Sequence, residues 1–593
     1  MLASRGSETL GLNRTAHGAG AEPASVPRMS DQSEPDSPST RVFSLSLSGP
    51  GVFVATLLFA LSLAPSLLPR SGLFQGIVSG VTIMIGYGIG VFGQWAWNYL
   101  ELPVLERGSR AQRVVFWVAV GVLAVFTAGA VWRQVGWQND VRELFGMDSV
   151  NPVVWLVIVP VTLIVAGLIL IIARSLRKLF QFLARQLTRI MPARVARLIG
   201  GVALFFLVVF LVNGVLINGF FTVANQVFSV RDTNTVEGIT QPIESERSGS
   251  PESLVTWDSL GRQGRSFAGS GPTPAELDDF HGGGALQPIR VYVGLKSADT
   301  LQERADLLLE ELKRTGAFER DVLLVTTTTG TGFLEPKAMQ SFEYLHNGNT
   351  AIAGAQYSYL PSWISLLADQ AVTRETAQVV FNTIHDYWST LPEASRPDIH
   401  LFGLSLGSFG VEAVLTSISI INEPIDGALL TGPPFVNDLW NDLTDGRDEG
   451  SPGWLPVYEE GRTVRFTSLE NALDDPSAEW RDTRVVYLQH GSDPITFFSP
   501  DLAFSEPDWL REGQRGPDVS ENMPYLPLVT MWQVAADLAV AGNVPAGHGH
   551  LYTSGEYLDG WIGISEPDGW TDADTAQLKE RLAVLDLEQE LSG

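Results

Sequence analysis

The 593-residue chain contains no cysteine, which excludes disulfides, thiolate metal sites and a cysteine nucleophile together. Basic side chains are also scarce: 39 Lys and Arg stand against 66 Asp and Glu, a formal net charge of -27. Acidity on that scale repels phosphate backbones, so no nucleic-acid partner is expected. Neither a G-x-x-x-x-G-K-[ST] run nor an H-E-x-x-H pair occurs, so no nucleotide cradle, metal centre or cofactor is expected. Residues 1–48 lack any long apolar run and are rich in Ser, Pro, Gly and Ala. They read as a disordered tail without the basic flank and apolar stretch of a secretory signal.

What is present is sharply segregated. A mean hydropathy of +0.12 is high for a chain so charged, because the long apolar runs lie before Thr222 and most of the acidic residues after it. Runs of roughly spanning length, about 17 to 25 residues, occur at Val52 to Leu68, Leu73 to Trp97, Val114 to Trp132, Val153 to Ala173 and Leu198 to Phe221. Five transmembrane helices are therefore expected at 49–221, with the lipid bilayer as a partner. Trp95, Trp97, Trp132 and Trp155 fall at run ends, where amphipathic rings favour the interface. Gly76, Gly80, Gly86 and Gly90 in the second run have the spacing that lets helix backbones approach closely. Arg174, Arg177, Lys178, Arg185, Arg189, Arg194 and Arg197 lie between the fourth and fifth runs. Arg107, Arg110 and Arg113 lie between the second and third, and Arg5, Arg14, Arg28 and Arg41 in the tail. Basic loops stay cytoplasmic, so everything after Phe221 is expected outside the cell. No Asp, Glu, Lys or Arg lies in the middle of a run; Asn213 and Asn218 are the most polar interior positions. A transporter needs intramembrane ionisable groups, so an anchor or lipid-access platform fits better than a pump.

After a polar stretch at 222–286 that reads as a linker, short β-branched runs alternate with amphipathic helices. Ile289 to Leu295, Asp321 to Thr327, Thr350 to Gln356, Asp398 to Gly403, Asp426 to Thr431 and Arg484 to Gln489 have strand character. Helical spacing runs through Ala298 to Thr315, Ala371 to Tyr387 and Gly407 to Ile418. Such alternation implies a mostly parallel sheet covered on both faces, with its chemistry at the carboxyl ends of the strands.

Gly403-Leu404-Ser405-Leu406-Gly407 matches the nucleophile-elbow pattern, in which small residues allow a sharp strand-to-helix turn. By frequency alone roughly half a match is expected in a chain this long; the strand before it and the helix after it are what single Ser405 out. A serine hydroxyl needs a base, and the base an orienting carboxylate, in the order Ser, acid, His. Asp493 follows the strand ending at Gln489, with Asp501 as a nearby competitor. His548 and His550 in AGHGH are the candidate bases; His548, between Gly547 and Gly549, is preferred. His385, His400 and His490 read as structural. For the oxyanion, the backbone N–H of Leu406 is one expected donor, and a second is expected from Thr329, Gly330 or Thr331 after an earlier strand.

SLLPR at Ser66 to Arg70, GTGF at Gly330 to Phe333, QYSYLPSW at Gln356 to Trp363, GLSLGSFG at Gly403 to Gly410 and GHGHLY at Gly547 to Tyr552 resemble an alpha/beta-hydrolase family of actinobacterial membrane proteins. The resemblance covers most of the chain after about Gly49 and implies an N-terminal membrane region followed by a catalytic domain of the serine-hydrolase fold. Where the wider superfamily has a Gly three residues before its acid, Gly491 here lies two before Asp493. The expected fold class is thus multi-domain: an all-α transmembrane bundle of about five helices, then an α/β-hydrolase domain at 287–593. The expected activity is that of a membrane-anchored esterase, lipase or acyltransferase acting on lipid or acylated cell-envelope substrates. A non-catalytic envelope scaffold and a transporter-associated domain are the rival readings. Tyr357, Tyr359 and Trp363 would wall an apolar pocket or sit in the core.

Overall fold

A computed structural model describes residues 47–103, 108–210, 218–368, 370–417 and 424–592. Residues 1–46 of the expected tail, Arg107 and Asn213 lie outside the described residues, as does part of the fifth run.

Among the described residues six α-helices come first: α1 (Gly49–Leu61), α2 (Gly72–Tyr99), α3 (Arg110–Leu144), α4 (Trp155–Leu187), α5 (Ala193–Val209) and α6 (Asn218–Arg231). Among the described residues three stretches are long and apolar enough to cross a membrane, Gly72–Tyr99, Arg110–Leu144 and Pro152–Leu187, where five were expected. The first run is cut short at Leu61 because Pro65 has no N–H for the Leu61 carbonyl and its ring would collide with it. The thirteen residues of α1 rise only about 20 Å, less than a bilayer core of about 30 Å. The fifth run begins inside α5, a helix of 17 residues, and its last residues belong to α6, which starts at Asn218.

The glycines of α2 divide between two neighbours. A Cβ on Gly76 or Gly80 would meet Val161 or Val165 of α4, each at 2.7 Å, whereas Gly86 and Gly90 press on the α1 backbone at Val54 and Pro50. Gly72 lies against Val154, and Gly80 against Val165, so α2 and α4 run parallel. The basic cluster from Arg174 to Arg185 is the distal part of α4 itself, far from the end that begins beside Gly72.

Among its described residues the sheet domain has seven strands, β1 (Ile289–Val293), β2 (Val322–Thr327), β3 (Thr350–Ala355), β4 (Asp398–Leu404), β5 (Gly427–Thr431), β6 (Val464–Thr467) and β7 (Arg484–Leu488). Their spatial order is β1-β3-β2-β4-β5-β7-β6, and every pairing is parallel. Strands β1, β3 and β5 are buried at every position, as a sheet covered by helices on both faces requires. The stretch 222–286, expected to be a linker, is folded. It completes α6, adds helices Gly261–Ala268 and Pro274–His281, and bridges to β1, where Ser248 donates to the Arg290 carbonyl at 3.0 Å.

The helical region and the sheet domain share one core. Leu67, Leu68, Val141 and Phe145 belong to the same buried cluster as Tyr487, Val544 and Tyr552. Arg70 ion-pairs with Asp537 of helix Val529–Asp537 at 3.0 Å, and the Ser66 hydroxyl donates to the same carboxylate. Gln533 donates to the carbonyl of Ala64 at 2.8 Å. The α1–α2 connection is thus plugged into the sheet domain.

Candidate active site

Ser405 stands at the junction of β4 and helix Leu406–Leu415 with φ 53 and ψ -124. A residue with a side chain in that region costs on the order of 1–3 kcal/mol and persists only where its surroundings enforce it. They do so through two glycines. A Cβ on Gly403 would collide with the Gly407 backbone, and one on Gly407 with the Thr327 carbonyl. The chain can therefore reverse within one residue, and it holds Ser405 only partly buried at the strand tip. The Ser405 N–H donates to the Thr431 carbonyl at 2.8 Å, which ties the elbow to the end of β5.

One residue beyond Thr431, Gly432 adopts φ 52. A Cβ there would lie 2.5 Å from Cε1 of His550 and 3.0 Å from the Tyr552 hydroxyl. The imidazole of His550 thus occupies the space over the end of β5, next to the strand that carries Ser405. Its Nδ1 meets Oδ2 of Asp493 at 2.6 Å, while Nε2 is buried without a hydrogen-bond partner. With Nδ1–H donating to the carboxylate, the lone pair is left on Nε2.

Asp493 is fully buried and densely held. Oδ1 accepts from the Ile495 N–H at 2.8 Å, and Oδ2 also accepts from the Tyr552 hydroxyl at 3.0 Å. Asp501, the competitor, is exposed on a separate turn.

The preference for His548 is reversed by this geometry. Its ring stacks on Phe145, with centroids 4.4 Å apart, and its Nδ1 is buried without a partner. Burial pushes its imidazole below the ordinary value. The chain turns between them, with Gly549 at φ 55 and the Leu551 N–H bonded to the His548 carbonyl at 3.1 Å, and it is His550 that this turn sets against Asp493.

The loop bearing them is clamped from within the sheet domain. The Ser492 hydroxyl accepts from the Gly549 N–H at 2.9 Å and donates to Asp518 at 2.5 Å. His490 bonds the Gly549 carbonyl through Nδ1 at 2.9 Å and Glu556 through Nε2 at 2.5 Å. Burial alone would lower the His490 imidazole, but the charge and hydrogen bond of Glu556 outweigh it and raise it to about 9. Sequence reasoning left His490 as structural and missed Tyr552, Gly432, Ser492 and Glu556, whose partners lie far away in the chain. Only the run from His490 to Asp493 hinted at a clustered role.

For an anion at Ser405, Leu406 opens a ten-residue helix, so its N–H has no partner within that helix. Contact between Gly407 and Thr327 sets the loop after β2 beside it. In that loop the Thr329 N–H is engaged by the Phe333 carbonyl at 3.1 Å, which removes it as a donor. Gly330 packs under the Leu360 carbonyl, and Thr331 lines a cavity of about 190 Å³ with Phe228, Arg231, Arg262 and Tyr359. Tyr357 is buried against Leu406 and Phe409; the side chain of Trp363 lies outside the described residues.

Comparison with known proteins agrees with this architecture. Residues 289–578 match the family described as "Alpha/beta-hydrolase family", and residues 63–272 match "Alpha/beta-hydrolase family N-terminus". No curated protein and no solved structure matches the chain.

Proposed function

The chain belongs to the alpha/beta-hydrolase family, and on that premise we propose that it is a membrane-embedded serine hydrolase working on lipid or envelope acyl groups. Ser405 is the nucleophile, His550 the general base and Asp493 the acid that fixes its tautomer. The observation that carries this reading is the 2.6 Å Asp493–His550 pair with an unpartnered Nε2, standing over the strand end that grips the Ser405 N–H.

In this mechanism Nε2 takes the proton as Ser405 Oγ attacks the acyl carbonyl. The oxyanion is met by the Leu406 N–H and by an amide of Gly330 or Thr331. His550 then protonates the departing alkoxide, leaving an acyl-serine. Water activated by the same imidazole completes hydrolysis; an alcohol in its place completes transfer. No hydrogen bond joins His550 Nε2 to Ser405 in the resting state, and such contacts commonly tighten only when substrate binds.

The helical region serves in this reading as a multi-pass membrane platform. Its basic cluster at the distal end of α4 is cytoplasmic and the sheet domain extracytoplasmic, within reach of acyl chains at the outer boundary. Fluorophosphonate labelling of the full chain tests the chemistry. Ser405→Ala abolishes labelling, His550→Ala slows it by about 10³-fold or more, and His548→Ala slows it far less than His550→Ala does, as a residue outside the proton path. Equal labelling of wild type and Ser405→Ala removes Ser405 from the reaction. A product assay with and without an alcohol acceptor separates hydrolysis from transfer.

A further inference from the structure

The loop that presents His550 is gripped on its outer side by the helical region. The Phe145 ring at the end of α3 stacks on His548 at 4.4 Å. Leu68, in the α1–α2 connection, fills the space over Gly549: a Cβ built there would lie 3.3 Å from Leu68 Cδ2. Phe145 is 2 % and Leu68 0 % exposed. These two side chains bracket His548 and Gly549, the residues immediately before the base.

A second path reaches the same imidazole. Arg70 and Ser66 hold Asp537, the last residue of helix Val529–Asp537. Four residues on, the Ala541 carbonyl accepts the His550 N–H at 3.0 Å. Both the side-chain packing and the backbone bond that locate His550 are therefore anchored in residues 62–145.

We infer that Phe145 and Leu68 are positioning residues for His550, so that the helical region is part of the catalytic apparatus and not only its anchor. The inference rests on the reading of Ser405, His550 and Asp493 as the reacting groups. It also accounts for the polar, buried docking of the α1–α2 connection, which a simple tether does not require.

The test uses the full chain in detergent micelles, with p-nitrophenyl butyrate as the turnover probe and fluorophosphonate labelling stoichiometry as the count of intact sites. Displacing a catalytic group by about 1 Å is enough to cost on the order of 10²-fold. Phe145→Ala should therefore keep its labelling stoichiometry and KM within about twofold, while kcat per labelled site falls tenfold to a hundredfold. Phe145→Leu, which restores the apolar contact without the ring, should recover most of the loss. Turnover per labelled site equal to wild type in Phe145→Ala overturns the inference, because a merely structural contact would lower only the number of intact sites. Should Phe145→Ala fail to yield folded protein, Leu68→Ala is read by the same criterion from the other side of the loop. Absence of labelling in wild type, or its persistence in Ser405→Ala, instead defeats the reading on which the inference depends.

Discussion

The helices of 49–231 and the sheet domain dispose of their large apolar side chains in opposite ways. In the helices Trp132 is 86 % and Leu156 75 % exposed, and the run from Val114 to Val118 is exposed throughout. In the sheet domain nearly every strand residue is buried, and the exposed large apolar side chains, such as Leu469 and Phe504 (80 % exposed), lie outside the strands. A protein in water leaves single apolar residues exposed but not whole helix faces. The first surface is thus suited to lipid and the second to water. The boundary between them follows neither rule, because Leu68 and Phe145 are as buried as any strand residue and sit beside a buried ion pair. That boundary is where the two regions stop being separable.

The largest expected effect comes from breaking it. Arg70→Ala leaves Asp537 buried without its cation, and losing one partner of a buried pair costs about 3–5 kcal/mol. The full chain should then lose monodispersity on gel filtration and unfold at a clearly lower temperature. Arg70→Met with Asp537→Leu should recover most of that stability, since apolar replacement of both partners is often neutral. If Arg70→Ala is as stable as wild type, the boundary is a loose contact and the two regions are merely linked.

A smaller effect separates the two surfaces themselves. Val122 lies on an exposed face of α3. A lysine there should cost about 2.5–3.5 kcal/mol of insertion if that face meets lipid. The same substitution at Phe504 should stay within about 0.5 kcal/mol, as on any watery surface. Membrane-fraction yield of the two variants measures the difference; equal yields would mean that α3 faces water.

The same contrast governs what was legible from the residues alone. Six of the seven strands stand out as apolar runs because each is buried on both faces. The seventh, Val464–Thr467, is four residues long at the sheet edge and contains Arg465, whose guanidinium donates to the carbonyls of Gly461 and Ala478. Polar composition likewise disguised 222–286, where Arg247 and Arg265 are buried by donating to backbone carbonyls. Charge reads as solvent when its partners are distant backbone atoms. The turns at Ser405 and Asp493 were legible because each carries a local signature. The choice between His550 and His548 was not, since both have glycine beside them. What distinguishes them is Asp493 on one side and Phe145, some 400 positions earlier in the chain, on the other. The shortened α1 was readable in principle from Pro65 and was masked by the hydropathy around it.

The smallest effect distinguishes the two grips on the His550 loop. The helical region holds it by contacts of Leu68 and Phe145 that do not change as pH is raised above 6.5, since burial lowers the His548 imidazole. The sheet domain holds it through His490 and Glu556, which do change. Burial pushes the His490 imidazole down, but Glu556 draws it up to about 9 from an ordinary 6.5. A histidine raised on folding contributes stability that is complete below its unfolded value and is lost as pH rises through the folded one. Glu556 moves the opposite way: burial pushes it up, His490 and the Thr553 hydrogen bonds pull it further down, so its share is lost on acidification below about 4.5. Between those limits the clamp is intact. Thermal unfolding should therefore fall by a few degrees as pH is raised from 6.5 to above 9, and His490→Gln should start lower at pH 6 yet lose this dependence. A His490→Gln profile parallel to wild type across that window would place the alkaline loss elsewhere in the molecule. The loop would then be left to its apolar grip, and to the backbone bonds of Gly549 and His550.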